Sequence, residues 1–174
     1  MTPFGFWFLL VLILAALLVI WLGWSQLVGA GWGPTPGESV DRMLELAQIS
    51  EGDVLYDLGC GDGRIVIRAA KKYGVRAVGF EIDPIRAWLS RVRVKTNGVQ
   101  DKVKIVERNF FDADLSPATV VSIFLTQKAN QRLKAKLQSL KQGTRVVTYT
   151  WTFEGWEPKV ADHELKAYLY VVGE

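Results

Sequence analysis

Cysteine and histidine are almost absent from this chain: Cys60 and His163 are its only examples. A single cysteine excludes a disulfide framework and a multi-cysteine zinc site, and a single histidine removes the usual imidazole clusters, so no metal centre is expected. Charge is missing from residues 1 to 37, because all 21 Lys and Arg and all 18 Asp and Glu lie between Glu38 and Glu174. The balance of +3 is too small to argue for a polyanionic partner, and a nucleic-acid role is not expected from it.

What fills the uncharged end is an apolar run from Phe4 to Trp24, with Trp7, Trp21 and Trp24 toward its ends. As a helix such a run spans a hydrocarbon core, which predicts a transmembrane anchor over residues 1–28. A cleaved signal peptide is the alternative, since Val28-Gly29-Ala30 offers small residues, although no basic stretch precedes the run. Basic residues follow the run and none precede it, so the reading is a single-pass membrane protein with the remainder cytoplasmic.

Residues 29–37 hold Gly29, Gly31, Gly33, Pro34, Pro36 and Gly37, the composition of a linker. Residues 38–174 then form one domain. Val40, Met43, Leu44 and Ala47 recur at helical spacing. Strands are expected at Val54–Leu58, Arg76–Ile82, Lys102–Val106, Thr119–Leu125, Thr144–Thr150 and Leu165–Val172, and a helix over Arg64–Tyr73. Asp83-Pro84 reads as an N-cap and a first helical position, opening a helix whose buried stripe would be Ile85, Trp88, Leu89 and Val92. A basic helix from about Lys128 to Leu140 would bury Ala129, Leu133, Leu137 and Leu140, with Lys134 and Lys136 on a face that is solvated or turned to anionic lipid. Strand and helix in alternation predict an α/β fold, Rossmann-like, with a mostly parallel sheet and its ligand at the carboxyl ends of the strands.

The chemistry is concentrated directly after the first strand, in Asp57-Leu58-Gly59-Cys60-Gly61-Asp62-Gly63-Arg64. Glycine at every second position lets backbone approach a ligand. Dinucleotide sites use G-x-G-x-x-G with a pyrophosphate at the helix start, whereas here the spacing is G-x-G-x-G behind a carboxylate. Asp57 repels a pyrophosphate and attracts a cofactor carrying an ammonium and a sulfonium. Glu81, at the end of the second strand, is placed to take the hydroxyls of a ribose.

These residues, with Phe80-Glu81-Ile82-Asp83-Pro84, resemble class I S-adenosylmethionine-dependent methyltransferases. More narrowly the chain looks like the short protein-lysine methyltransferases, which include archaeal enzymes and mitochondrial ones acting on an ATP synthase component and on the adenine nucleotide translocase. The likeness runs from Pro34-Thr35-Pro36 through Asn130 and Leu133-Lys134-Ala135-Lys136-Leu137 to Trp156. It implies S-adenosylmethionine as cofactor, with Asp57, Gly59, Gly61 and Gly63 along its methionine half, Glu81 on ribose and Ile82 on adenine. Asn109 and Phe110 would flank the adenine, Asn109 standing where the class usually has aspartate, and Thr35 would fold over the cofactor.

Methyl transfer needs a neutral nucleophile in line with the sulfonium methyl, so a lysine acceptor must lose its proton in an apolar pocket. Thr126 and Gln127 after the fourth strand, with Trp151, Phe153 and Trp156 after the fifth, are the candidates for that pocket, and the expected partner is a lysine-bearing protein at or near the membrane. The segment Phe124-Leu125-Thr126-Gln127 lacks the proline-rich acidic motif of nucleic-acid amino-methyltransferases. A small-molecule, lipid or nucleic-acid acceptor, or a tethered module that binds cofactor without catalysis, stays open at this point. His163 reads as a surface turn residue and Cys60 as a small loop filler.

Overall fold

The computed structural model describes residues 3–28 and 33–174, and within the first helix the side chains of residues 5–16, 19 and 20. The chain divides into two compact units, Met1–Trp32 and Gly33–Glu174.

The first unit carries α1 (Pro3–Val28). Its side chains at Phe6, Trp7, Phe8, Val11 and Leu12 are exposed. The expected transmembrane anchor, and the single-pass membrane localisation with a cytoplasmic domain that followed from it, are corrected here: among the described residues no helix is long and apolar enough to cross a membrane. Of the expected linker, residues 29–32 lie outside the described residues, residues 33–36 form no regular element, and Gly37 begins the next helix.

The second unit runs α2 (Gly37–Leu46), β1 (Val54–Leu58), α3 (Arg64–Tyr73), β2 (Arg76–Glu81), α4 (Pro84–Thr96), β3 (Val103–Glu107), a 3-10 turn (Phe110–Asp112), β4 (Val120–Ile123), α5 (Gln127–Gln138), β5 (Arg145–Tyr149), β6 (Val160–Asp162) and β7 (Ala167–Val171). Seven strands form one sheet in the order β3-β2-β1-β4-β5-β7-β6, parallel from β3 to β5, with β7 antiparallel to β5 and to β6. The chain walks outward from β1 to β3, then returns to β4 on the other side of β1. Right-handed crossovers therefore place α3 and α4 on one face and α5 on the other, and open a crevice at the carboxyl ends of β1 and β4. The main core joins α2, α3 and the small residues of α4 to the sheet through Met43, Leu44, Val66, Leu55, Val120 and Val147, all at most 1% exposed.

The α/β reading with a mostly parallel sheet holds, and β6 is the element that periodicity did not mark. It has three residues, two of them exposed, and is specified by pairing with β7 rather than by its own pattern.

On α4 the expected buried stripe is reversed. Ile85, Trp88, Leu89 and Val92 are 41–59% exposed, while Ala87, Ser90 and Val94 face the sheet. Both sets repeat at helical spacing, and the smaller one wins because the helix must lie against the glycine loop: a Cβ on Gly63 would strike the Ser90 hydroxyl. The entry of α4 is as expected, with Asp83 accepting from the amides of Ile85 (2.9 Å) and Arg86 (3.1 Å) ahead of Pro84. On α5, Leu133 and Leu137 are buried as expected, but Asn130 takes the buried place given to Ala129.

Candidate active site at the carboxyl ends of β1, β2 and β4

Asp57 is 2% exposed near the end of β1. Its register partner on β4, Ser122, donates its hydroxyl to Asp57 Oδ1 at 2.8 Å. Asp57 Oδ2 is buried and has no hydrogen-bond partner among the described residues. Burial pushes the carboxyl up to about 7; the Ser122 hydrogen bond works against this, and the nearby Glu81 and Asp62 charges add to it. A buried carboxylate oxygen without a partner destabilises the site unless a donor or a cation reaches it.

The loop that follows is tied to β2. The amides of Gly59 and Cys60 both donate to the Phe80 carbonyl at 2.9 Å. Gly59, Gly61 and Gly63 all take left-handed backbone, at φ 81, 54 and 76, where other residues are strained. At Gly59 a Cβ would stand 2.9 Å from Leu125 Cδ2. Gly59 and Gly63 are therefore glycines for close packing against Leu125 and Ser90 as well as for turn geometry. Cys60 packs its sulfur over Gly79, where a Cβ would lie 2.6 Å from Sγ. Burial, followed by the charges of Asp57 and Glu81, pushes its thiol well above the ordinary range, so Cys60 is a filler and not a nucleophile.

Glu81 is buried at the end of β2 and held by backbone on both oxygens: the Gly61 amide donates to Oε2 and the Asp83 amide to Oε1, each at 2.9 Å. Every carboxylate oxygen has a second lone pair, so a rigid acceptor remains for a pair of hydroxyls. Ile82 is half-buried beside it.

After β3, Asn109 spends its amide oxygen on the 3-10 turn, accepting from the Phe111 amide at 3.0 Å. Phe110 is buried, and its ring lies 3.9 Å from where a Gly59 Cβ would be. Lys136 of α5 donates to the carbonyls of Phe111 (2.7 Å) and Ala113, so it ties this turn down rather than facing solvent or lipid.

Thr35 is 4% exposed. Its carbonyl accepts from Arg64 Nη1 at 2.8 Å, and Arg64 is bracketed by Asp62 through Nε (3.0 Å) and Nη2 (2.8 Å). Burial alone would raise the Asp62 carboxyl, but its bonds and charge contacts with Arg64, and the charge of Arg93, hold it below its ordinary value. Gly33, at the other end of this short segment, lies against the Phe124 ring. Residues 33–36 thus run from the end of β4 to the start of α3.

Contacts join Gly61 to Glu81, Gly59 to Phe110, and Thr35 to the glycine loop through Arg64 and Asp62, with Asp57 at the carboxyl end of β1, Ile82 next to Glu81 and Asn109 next to Phe110. At the neighbouring ends of β4 and β5 stand Thr126, exposed and capping α5 through the Ala129 amide at 3.3 Å, Gln127, and Trp151, 41% exposed. Trp156 does not join them. It is 7% exposed and stacked with Phe153 and Tyr170, ring centroids 5.0–5.2 Å apart, inside the core. His163 is exposed, edge-on to Tyr168. Sequence reasoning missed Ser122, Arg64 and Lys136. Only Ser122 carried a legible signal, a hydroxyl inside the apolar run Val120-Val121-Ser122-Ile123.

This donor and acceptor set fits S-adenosylmethionine. The unpartnered Asp57 oxygen suits its ammonium and the doubly anchored Glu81 suits its ribose, while a buried carboxylate pair at the loop repels a pyrophosphate.

Comparison with known proteins agrees with that fit. The ANTKMT methyltransferase domain family matches residues 57–160. The chain is 48% identical over 149 residues to a protein-lysine N-methyltransferase of Saccharolobus islandicus (strain REY15A), covering 81% of this chain and 92% of that protein. It is 31% identical over 154 residues to the adenine nucleotide translocase lysine N-methyltransferase of Mus musculus, covering 81% of this chain but only 66% of the mouse protein. A crystal structure described as an RNA methyltransferase from Salinibacter ruber in complex with S-adenosyl-L-homocysteine superposes with a TM-score of 0.79 at 46% identity, covering 82% of this chain and 95% of that one. This chain belongs to the ANTKMT methyltransferase domain family and is an S-adenosylmethionine-dependent methyltransferase.

Proposed function

We propose that the chain methylates lysine side chains of a protein. The observation that carries this reading is the 48% identity to a protein-lysine N-methyltransferase across nearly that protein's whole length. The site supports it chemically. The cofactor supplies an activated methyl, so the chain's own residues need only bind, orient and exclude water. In this reading Asp57 takes the cofactor's ammonium, Gly59, Gly61 and Gly63 shape the loop along its methionine half, and Glu81 accepts from its ribose. Ile82, Phe110 and Asn109 enclose its adenine, and Thr35 closes the crevice from the α3 side. Thr126, Gln127 and Trp151 form the acceptor side, Gln127 bringing a buried amide oxygen that has no partner among the described residues. An amine substrate arrives as an ammonium and must give its proton to solvent before its lone pair attacks the methyl; burial disfavours the charged form, while the Gln127 oxygen and the Trp151 indole orient the amine.

A second reading, an RNA acceptor, is favoured by the description of the Salinibacter ruber relative. Incubating the full chain with methyl-labelled S-adenosylmethionine, single-lysine peptides and total RNA separates the two. Label recovered as methyl-lysine is the expected result, and label confined to RNA would establish the second reading instead.

A further inference from the structure

The chain leaves β5 through a turn that works against its own stability. Thr150 sits at φ 68, a conformation that β-branched residues rarely adopt. Around it the Trp151 amide donates back to the Tyr149 carbonyl at 2.8 Å, the strained form of a γ-turn. The Thr150 amide donates to the Lys166 carbonyl at 2.8 Å, which pins the turn to the chain entering β7.

Asn130 adds a second unfavourable feature. It is 1% exposed; its amide nitrogen donates to the Trp151 carbonyl at 3.0 Å, and its amide oxygen is buried without a partner among the described residues. A leucine of similar volume would spare the buried amide oxygen but would leave the Trp151 carbonyl without its donor, so the hold on that carbonyl is what the asparagine supplies. Strain and unpaired polar groups that persist in a fold gather where geometry serves function.

Both features meet at Trp151. Its carbonyl is clamped by Asn130, its amide is turned by Thr150, and its indole remains 41% exposed at the end of β5. The next residues are carried on α5 in the same manner, Gln131 donating to the Thr152 carbonyl and Lys134 to that of Glu154.

We infer that Asn130 is a positioning residue: with the Thr150 turn it fixes the Trp151 indole as the wall that receives the cationic end of the substrate lysine. This rests on the lysine reading above. An indole face attracts an ammonium and packs against methylenes, and a clamp on the backbone carbonyl sets the ring without covering that face. An aspartate at 130 would not serve, because the Trp151 carbonyl requires a donor.

The test uses the full chain, a synthetic peptide with a single lysine between apolar residues, and S-adenosylhomocysteine as the cofactor-site probe. In Asn130→Ala the peptide KM rises about tenfold, with S-adenosylhomocysteine affinity unchanged. Trp151→Ala gives the same loss, Trp151→Tyr restores most of it, and adding Asn130→Ala to Trp151→Ala changes nothing further, as expected for residues acting through one another. Amide hydrogen exchange across residues 151–154 accelerates in Asn130→Ala. Unchanged exchange, or additive losses in the double variant, would overturn the clamp. An active enzyme whose Asn130→Ala variant keeps its peptide KM would overturn this inference alone, whereas a wild-type chain that labels no lysine peptide would overturn the lysine reading and this inference with it.

Discussion

Two buried carboxylates dominate the site at the residue scale, and they differ in how they are held. Asp57 has one oxygen on Ser122 and one on nothing among the described residues, whereas Glu81 has a backbone amide on each. The Asp57 carboxyl is raised from 3.8 to about 7. Its contribution to stability is therefore fully present at pH below 3.8 and is lost as pH rises through about 7. A cofactor ammonium reverses this preference by favouring the ionised form, so cofactor affinity should increase as pH rises from about 6 to about 8, with a proton released on binding. Calorimetry in buffers of different ionisation enthalpy measures both, and an Asp57→Asn variant should lose the pH dependence while melting higher than wild type at about pH 8 without cofactor. Glu81→Ala should weaken cofactor binding by about 1.5–3 kcal/mol. Glu81→Gln should be nearly as damaging, because its NH2 would face the Gly61 or Asp83 amide, donor against donor.

At the scale of elements, local chemistry was read correctly where a residue type has a single structural use. Asp83-Pro84 marks the start of α4, and the alternating glycines mark the turn into α3. Legibility ended where two faces of one helix were both credible. Ile85, Trp88, Leu89 and Val92 made the more hydrophobic stripe of α4, yet Ala87, Ser90 and Val94 are buried, because closeness to Gly63 outweighs apolar area. Trp88→Gln should accordingly change the urea midpoint by no more than about 0.5 kcal/mol of stability. Leu133→Ala on α5, whose side chain is 0% exposed, should cost about 2–5 kcal/mol. A large loss in the Trp88 variant would put that ring back in the core. Trp156 was ambiguous for the converse reason: an aromatic residue after the last parallel strand suits a pocket wall and a core equally, and its burial against the Phe153 and Tyr170 rings was not readable in the sequence.

On the scale of the whole molecule, the position of the crevice was legible, since a strand order that reverses beside β1 follows from the alternation of elements and the handedness of crossovers. The anchor was not, and it falls on the finding that no helix among the described residues is long and apolar enough to cross a membrane. Contacts linking distant segments were invisible in the sequence, such as Arg64 with Thr35 or Lys136 with the turn after β3. A chain beginning at Gly33 should therefore keep its circular dichroism and cofactor affinity, while one beginning at Glu38 loses the Thr35 contact and should bind cofactor more weakly. Methyl transfer from S-adenosylmethionine to a lysine side chain is decided by mass spectrometry of a single-lysine peptide incubated with the full chain and cofactor bearing a deuterated methyl group. The heavy methyl should appear on the lysine ε-nitrogen and be lost in Asp57→Ala. An unmodified peptide, with the heavy methyl recovered on RNA or on no acceptor, would contradict the lysine reading.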